Sequence, residues 1–251
     1  MIHSFLMIGQ SNMAGRGFYD EAPEIDSKNI KILRNGRWQS MFRPVNPDRS
    51  FSGVCLAEYF AEKYKEDFGV EVGLIPCADG GTSIDQWCEG GLLFDHACYM
   101  AELASRTSNI AGVLWHQGES DCKDDLYLSY EPKLDKVLNA FRKRLGLYDV
   151  PFLLGELGEF LKDYVARPGA FEKAGIVNEA IKNVADKNEM MQFVPATGLT
   201  ANPDNLHFNA ASLKEFGLRY YEEYLKIYDK NKIFEEKVHP DLAVRTEMEK
   251  L

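Results

Sequence analysis

Five short apolar runs alternate with amphipathic helical patterns along this chain, and that alternation restricts the fold more than any other feature of the sequence. The apolar runs cover residues 4–8, 70–76, 110–115, 151–155 and 191–195. Each run is too short for a buried helix, whereas residues 52–68, 124–145, 171–187 and 210–228 repeat apolar positions every three or four residues. Strands that alternate with helices pair in parallel. Because these strands are apolar throughout, we expect an α/β fold built as a three-layer α/β/α sandwich.

Two regions fall outside this alternation. Residues 18–49 are rich in Pro, Asn, Asp and Arg, and a weak strand at 30–33 before Asn35-Gly36 predicts an irregular excursion with a small hairpin. Residues 232–251 are highly charged and predict a tail or a partner contact. We therefore expect one domain over residues 1–231, with five strands in the order 2-1-3-4-5 by analogy with doubly wound sheets.

Charge and composition exclude several classes of protein. The net charge of -10 would repel nucleic acid, and no dense Lys/Arg patch offsets it. No apolar stretch approaches the ~20 residues that span a bilayer, and the N-terminus lacks a secretory signal pattern, so we expect a cytoplasmic protein with no membrane partner. The 5 cysteines are scattered without a CxxC pair, which argues against a disulfide framework and a zinc ribbon.

Polar segments follow the apolar runs at the positions where open parallel sheets bind ligands, the carboxyl ends of the strands. The four segments are Gly9-Gln10-Ser11-Asn12, Asp79-Gly80-Gly81-Thr82-Ser83-Ile84-Asp85-Gln86-Trp87, His116-Gln117-Gly118-Glu119-Ser120-Asp121 and Asp204-Asn205-Leu206-His207. A serine becomes a nucleophile when a histidine takes its proton and an acid orients that histidine. Ser11, His207 and Asp204 have those capacities. Donors to an oxyanion could come from the Ser11 amide, the Gly80-Gly81 turn and the Gln117 carboxamide.

These four segments, in this order, resemble the signature blocks of SGNH hydrolases, and more narrowly the sialate O-acetylesterase and acetylxylan esterase branch, carbohydrate esterase family six. The resemblance extends from residue 9 to residue 207. It implies a flavodoxin-like five-stranded parallel sheet, the SGNH hydrolase fold, and hydrolysis of O-acetyl esters on carbohydrates without metal or organic cofactor. It also implies Ser11 as nucleophile, His207 as general base and then acid, and Ser11, Gly81 and Gln117 as the oxyanion hole. The expected cytoplasmic location favours small acetylated sugars over polymeric xylan as substrates.

Several roles stay open at the level of sequence. Asp204 is our preferred triad acid, but Glu119 of the His-Gln-Gly-Glu block is an alternative. We expect Gln10, Asn12, Trp87 and His116 to contact substrate, although Trp87 could equally be a core aromatic residue and we prefer for His116 a buried, hydrogen-bonded role that holds the loop after the third strand to a direct catalytic one. His116 and Glu119 could instead ligate a metal together with Asp121, His96 or His207.

Each segment also has an ordinary structural interpretation, as a helix cap or a tight turn without a catalytic role. Two other functions also fit: a lipase, thioesterase or short-chain ester hydrolase of the wider SGNH group, and an inactive carbohydrate-binding module.

Overall fold

The computed structural model describes residues 1–228 and Met248, and within them a seven-stranded sheet forms the middle layer. The strands are β1 (Ile2–Gly9), β2 (Ile30–Arg34), β3 (Arg37–Ser40), β4 (Glu71–Pro76), β5 (Ser108–His116), β6 (Phe152–Gly155) and β7 (Met191–Val194). Their order across the sheet is β3-β2-β4-β1-β5-β6-β7. The five predicted strands, now β1, β4, β5, β6 and β7, therefore occupy the order 2-1-3-4-5 that we expected.

The prediction of five strands was wrong. The sheet has seven, because the excursion after β1 adds a two-stranded hairpin. Strand β2 pairs in parallel with β4, and β3 pairs antiparallel with β2 around the turn at Asn35-Gly36. Asn35 and Gly36 both have positive φ angles, of 50° and 72°, which suit a tight hairpin turn. The α/β class and the parallel pairing of the five central strands are confirmed.

Helices cover both faces of the sheet. They are α1 (Ser11–Ala14), α2 (Leu56–Phe68), α3 (Leu92–Ala104), α4 (Tyr130–Leu145), α5 (Ala174–Asp186) and α6 (Ala210–Ile227). Parallel strands are joined by right-handed crossovers. The chain moves from β1 to β4 in one direction and then through β5, β6 and β7 in the other, so α2 lies on one face and α3, α4 and α5 lie on the opposite face. Helix α6 packs against α2, which gives the three layers.

Helix α3 is absent from the sequence prediction, since Leu92 and Tyr99 are exposed and blur its apolar pattern. The predicted helix at 124–145 begins at Tyr130, after a 3-10 turn over Leu126–Ser129. Within residues 1–228, no helix has both the length and the apolar character needed to cross a bilayer. The predicted tail at 232–251 lies outside the described residues except for Met248.

The carboxyl ends of β1 and β5 lie side by side at the middle of the sheet. Ile8 pairs with Trp115 and Gly9 pairs with His116. A side chain at Gly9 would place its Cβ 2.1 Å from the His116 carbonyl oxygen, and the φ angle of 131° also favours glycine. This close approach brings the segment after Gly9 against the segment after His116.

Candidate active site

Ser11 lies at the first residue of the short helix α1, directly beyond the carboxyl end of β1. Its side chain is mostly buried, and its Oγ lies 3.0 Å from Nε2 of His207. His207 belongs to the loop between β7 and α6, 196 residues further along the chain. The fold therefore brings the first and fourth polar segments into hydrogen-bonding contact.

Asp204 fixes the orientation of the His207 ring. Asp204 Oδ2 lies 2.6 Å from His207 Nδ1, and Asp204 Oδ1 accepts hydrogen bonds from the backbone N–H groups of Leu206 and His207. Burial alone would raise the pKa of Asp204, but the hydrogen bonds from the His207 side chain and from these two N–H groups outweigh it and lower the pKa. An ionised Asp204 can only accept, so Nδ1 carries the proton and the Nε2 lone pair faces Ser11.

Two backbone N–H groups beside Ser11 are free to bind an oxyanion. Within residues 1–228, the N–H groups of Ser11 and Gly81 have no hydrogen-bond acceptor, and both residues line the same open cavity of about 360 Å³. Gly81 has a φ of 79°, in the left-handed region, so glycine is favoured there by backbone conformation alone. This arrangement has the donor chemistry of an oxyanion hole.

Glu119 contacts Asn12 and does not contact His207. Its Oε1 accepts a hydrogen bond from Asn12 Nδ2 at 2.6 Å and lies 3.7 Å from His116 Nδ1. The structure therefore places Asp204, and not Glu119, against the imidazole. The Asn12 carboxamide is also buried, and its nitrogen and oxygen both form hydrogen bonds within the protein. Its predicted contact with substrate therefore does not fit its position.

The Gln117 side chain lies beneath the cavity and has no proton left for an oxyanion. Its Nε2 donates to Asp121 Oδ2 at 2.5 Å and to the Thr82 carbonyl oxygen at 3.0 Å, and Gln117 is fully buried. The predicted place of Gln117 in the oxyanion hole therefore does not fit the geometry. Gln10 does line the cavity, and its Oε1 faces the N–H groups of Gly118 and Ser120 at 3.3 and 3.4 Å.

The two remaining predicted substrate contacts, Trp87 and His116, belong to the core. Trp87 is fully buried and donates from Nε1 to Thr82 Oγ1, and its ring packs edge-on against Trp115. His116 is also fully buried, with Nε2 3.1 Å from the Glu156 carbonyl oxygen. Neither residue lines the cavity, and both side chains pack inside the protein. Residues 1–228 contain no group of three or more His, Cys, Asp or Glu side chains placed to hold a metal.

Sequence reasoning missed a set of cavity residues that lie between the polar segments. They are Arg16, Arg49, Phe51, Lys123, Tyr164, Arg167, Ala170 and Phe171. Arg49 and Phe51 come from the end of the excursion and the turn that follows it, and Tyr164, Arg167, Ala170 and Phe171 come from the connection between β6 and α5. Four cations at one cavity stand out in a chain with a net charge of -10, but charge sums alone cannot reveal where they meet.

Known proteins resemble this chain over most of its length. A family model described as carbohydrate esterase, sialic acid-specific acetylesterase, matches residues 1–226. A protein of Arabidopsis thaliana named a probable carbohydrate esterase is 30% identical over 88% of this chain and 89% of its own length. Its X-ray structure has a TM-score of 0.78, with 28% identity over 89% of this chain and 98% of that one.

Two further structures share the fold at lower identity. A carbohydrate acetylesterase from Xanthomonas citri has a TM-score of 0.67 at 17% identity, covering 94% of this chain and 58% of its own. The crystal structure of NanS has a TM-score of 0.69 at 19% identity, covering 90% of this chain and 97% of its own. The chain belongs to the carbohydrate esterase family of sialic acid-specific acetylesterases, and it is a carboxylic ester hydrolase of that carbohydrate acetylesterase type.

Proposed function

We propose that this protein removes O-acetyl groups from sugars through an acetyl-serine intermediate on Ser11. The hydrogen-bonded chain from Ser11 through His207 to Asp204, at the floor of an open cavity, supports this proposal most directly. His207 Nε2 takes the Ser11 proton while Oγ attacks the acetyl carbonyl carbon. The negative charge that develops on the carbonyl oxygen is stabilised by the N–H groups of Ser11 and Gly81.

The leaving group defines which side of the cavity holds the sugar. The sugar oxygen that departs must receive a proton from His207 Nε2, so the sugar lies on the histidine side. Leu206, Tyr164 and Phe171 line the cavity there, and the rings of Tyr164 and Phe171 meet edge to face at 5.1 Å. Water then takes the place of the sugar, loses a proton to His207 and releases acetate from Ser11.

The charge around the cavity favours an acidic sugar. Arg16 and Arg49 are paired with Asp48 and Asp79, respectively. Lys123 and Arg167 are exposed and form no ion pair within residues 1–228. Two unpaired cations attract an anion more strongly than a neutral molecule, and guanidinium groups bind carboxylates in two-pronged fashion. We therefore propose O-acetylated sialic acids as better substrates than acetylated xylo-oligosaccharides.

Acetate release tests this function. The enzyme is incubated with O-acetylated sialic acids, acetylated xylo-oligosaccharides, acetylated neutral monosaccharides and p-nitrophenyl esters of increasing acyl length. We expect the highest kcat/KM on acetylated sialic acids and a preference for acetyl over longer acyl groups. Faster hydrolysis of long-chain esters would favour a lipase-like or thioesterase function, and the absence of acetate release from every sugar would refute the proposal.

A further inference from the structure

The carboxylate of Asp48 joins the Gly80-Gly81 turn to the segment after Ser11. Asp48 Oδ2 accepts hydrogen bonds from the Gly80 N–H at 2.8 Å and from Arg16 Nη2 at 2.7 Å. Asp48 Oδ1 accepts from Arg16 Nη1 at 3.0 Å and from Ser52 Oγ at 2.7 Å. The Arg16 and Asp48 side chains are only 5% and 4% exposed, so the pair is buried with every carboxylate lone pair in use.

This ion pair packs against Gly80, the residue of the turn that lies next to Ser11. A methyl group at Gly80 would lie 2.7 Å from Arg16 Nη2, 2.9 Å from Asp48 Oδ2 and 3.4 Å from Ser11 Cβ. The pair therefore supports the turn that carries Gly81 at the point where that turn meets Ser11.

Arg16 also connects to the histidine loop. Arg16 Nη1 donates to the Gly15 carbonyl oxygen at 2.8 Å, and the Arg16 carbonyl oxygen accepts from Asn202 Nδ2 at 2.9 Å. The backbone N–H of Asn202 in turn donates to the His207 carbonyl oxygen at 2.8 Å. Arg16 and Asp48 thus connect the three chain segments that supply nucleophile, oxyanion donor and base, the last of them through the Arg16 main-chain carbonyl.

A buried ion pair adds little net stability compared with well-packed apolar residues, because both charges lose their hydration. What such a pair does supply here is fixed geometry, since a bidentate pair has one preferred arrangement. A displacement of a catalytic group by about 1 Å can lower the rate by about 100-fold.

We propose that Asp48, held by Arg16, is a positioning residue: it fixes Gly80 and so directs the Gly81 N–H at the substrate oxyanion. This inference rests on the esterase function proposed above. It assigns a role to the carboxyl end of the 18–49 excursion.

The test measures kcat and KM with p-nitrophenyl acetate for Asp48→Asn and Arg16→Lys. An asparagine with its oxygen in the place of Oδ2 would turn an NH2 group toward Arg16 Nη1, so the two-pronged pair is lost, and a lysine cannot form that pair either. We expect kcat to fall roughly 10- to 100-fold in Asp48→Asn with little change in KM, and less in Arg16→Lys. The affinity of an alkylboronic acid, which forms a tetrahedral adduct on Ser11, should fall by the same factor, and the acid limb of the pH–rate profile should not move.

A matched control comes from a second buried ion pair that lies outside the cavity. Arg43 Nε contacts Glu58 Oε2 at 2.7 Å, and the Glu58 side chain is fully buried. Glu58→Gln should lower Tm while leaving kcat unchanged. If Asp48→Asn does not fold, Arg16→Lys decides the question.

The inference is refuted if the folded variants keep the wild-type kcat, or if Glu58→Gln loses as much kcat as they do for an equal fall in Tm. An inactive wild type on all esters would refute the proposed function as well. A fully active Asp48→Asn beside an active wild type would refute the positioning role alone.

Discussion

Asn12 Oδ1 accepts a hydrogen bond from the backbone N–H of Phe208 at 3.1 Å, so the residue after Ser11 holds the residue after His207. The Asn12 Nδ2 group also donates to the Leu206 carbonyl oxygen at 3.2 Å. One buried carboxamide therefore contacts the backbone on both sides of His207. The distance between Ser11 and His207 depends on this side chain as much as on the two residues themselves.

Substitution of Asn12 should therefore damage both stability and catalysis. In Asn12→Ala, the Phe208 N–H and the Glu119 carboxylate lose a partner, which we expect to cost about 2 kcal/mol in the free energy of unfolding. We also expect kcat to fall about 100-fold as His207 loses its alignment. Urea unfolding and p-nitrophenyl acetate kinetics measure the two effects. An unchanged kcat in a folded variant would show that Asp204 alone orients His207.

Removal of the proposed nucleophile should abolish turnover without loss of fold. Ser11→Ala deletes one hydroxyl that contacts only His207, so we expect an unchanged Tm and a loss of kcat of at least about 1000-fold. A fluorophosphonate probe should label the wild type at Ser11 and leave the variant unlabelled. Retained turnover in Ser11→Ala would remove Ser11 as the nucleophile.

Two variants distinguish Asp204 from Glu119 as the triad acid. Asp204→Asn removes the acceptor for His207 Nδ1 and favours the wrong tautomer, so kcat should fall about 1000- to 10,000-fold. Glu119→Gln weakens a bond to Asn12, one step further from the imidazole, and should lower kcat by no more than about 10-fold. Kinetics of both variants at one pH compare them. A collapse of kcat in Glu119→Gln alone would reverse our assignment.

Asp121 should produce a pH dependence of stability opposite to that of an ordinary carboxylate. Burial raises its pKa to about 6, although hydrogen bonds from Gln117 and the Ile84 N–H favour the charged form. Between pH ~4 and ~6 the folded state then holds a proton that the unfolded state has lost, so this group's contribution to stability falls as pH rises. An asparagine does not titrate, so the free energy of unfolding of Asp121→Asn relative to wild type should rise by on the order of 3 kcal/mol across this window. Urea unfolding in steps from pH 4 to pH 8 measures it, and a pH-independent difference would contradict the raised pKa.

The unpaired cations at the cavity should control selectivity and not chemistry. Lys123→Ala and Arg167→Ala should each raise KM for an O-acetylated sialic acid several-fold, and the double variant should raise it further. Hydrolysis of uncharged p-nitrophenyl acetate should stay unchanged. Lys162→Ala is the matched control, since Lys162 is an exposed lysine of the same connection that does not line the cavity. Equal losses on charged and neutral substrates would show that these cations do not recognise a carboxylate.

The five central strands followed from the sequence because buried parallel strands leave strong apolar runs, as at residues 4–8 and 110–115, and their order followed by analogy with doubly wound sheets. The hairpin strands β2 and β3 left weaker signals, since the exposed Arg37 and the half-buried Trp38 and Gln39 give β3 no apolar run. Helix α3 was missed for a similar reason. The sequence of a segment therefore indicates a strand or a helix only when the segment is fully buried or when its buried positions repeat at a regular period.

Within the site, Ser11, Gly81, Asp204 and His207 could be predicted to meet because each lies beyond a carboxyl strand end and each belongs to a segment that resembles an SGNH block. The roles of Gln117 and Trp87 could not be read in this way. Both side chains point into the layer beneath the cavity, and their direction depends on partners such as Asp121 and Thr82 that only the fold brings near. Arg16 and Asp48 were missed because their pairing joins segments 32 residues apart.

The hairpin formed by β2 and β3 also determines how this sheet meets other molecules. Without it, β4 would be the edge strand on this side of the sheet and would expose the unpaired backbone groups of a six-residue apolar strand. An exposed edge strand is a template for pairing with another chain and for aggregation. The outermost strand is instead the four-residue segment Arg37–Ser40, which is short and begins with a charged side chain. The hairpin therefore replaces a six-residue apolar edge with a shorter, charged one on this side of the sheet.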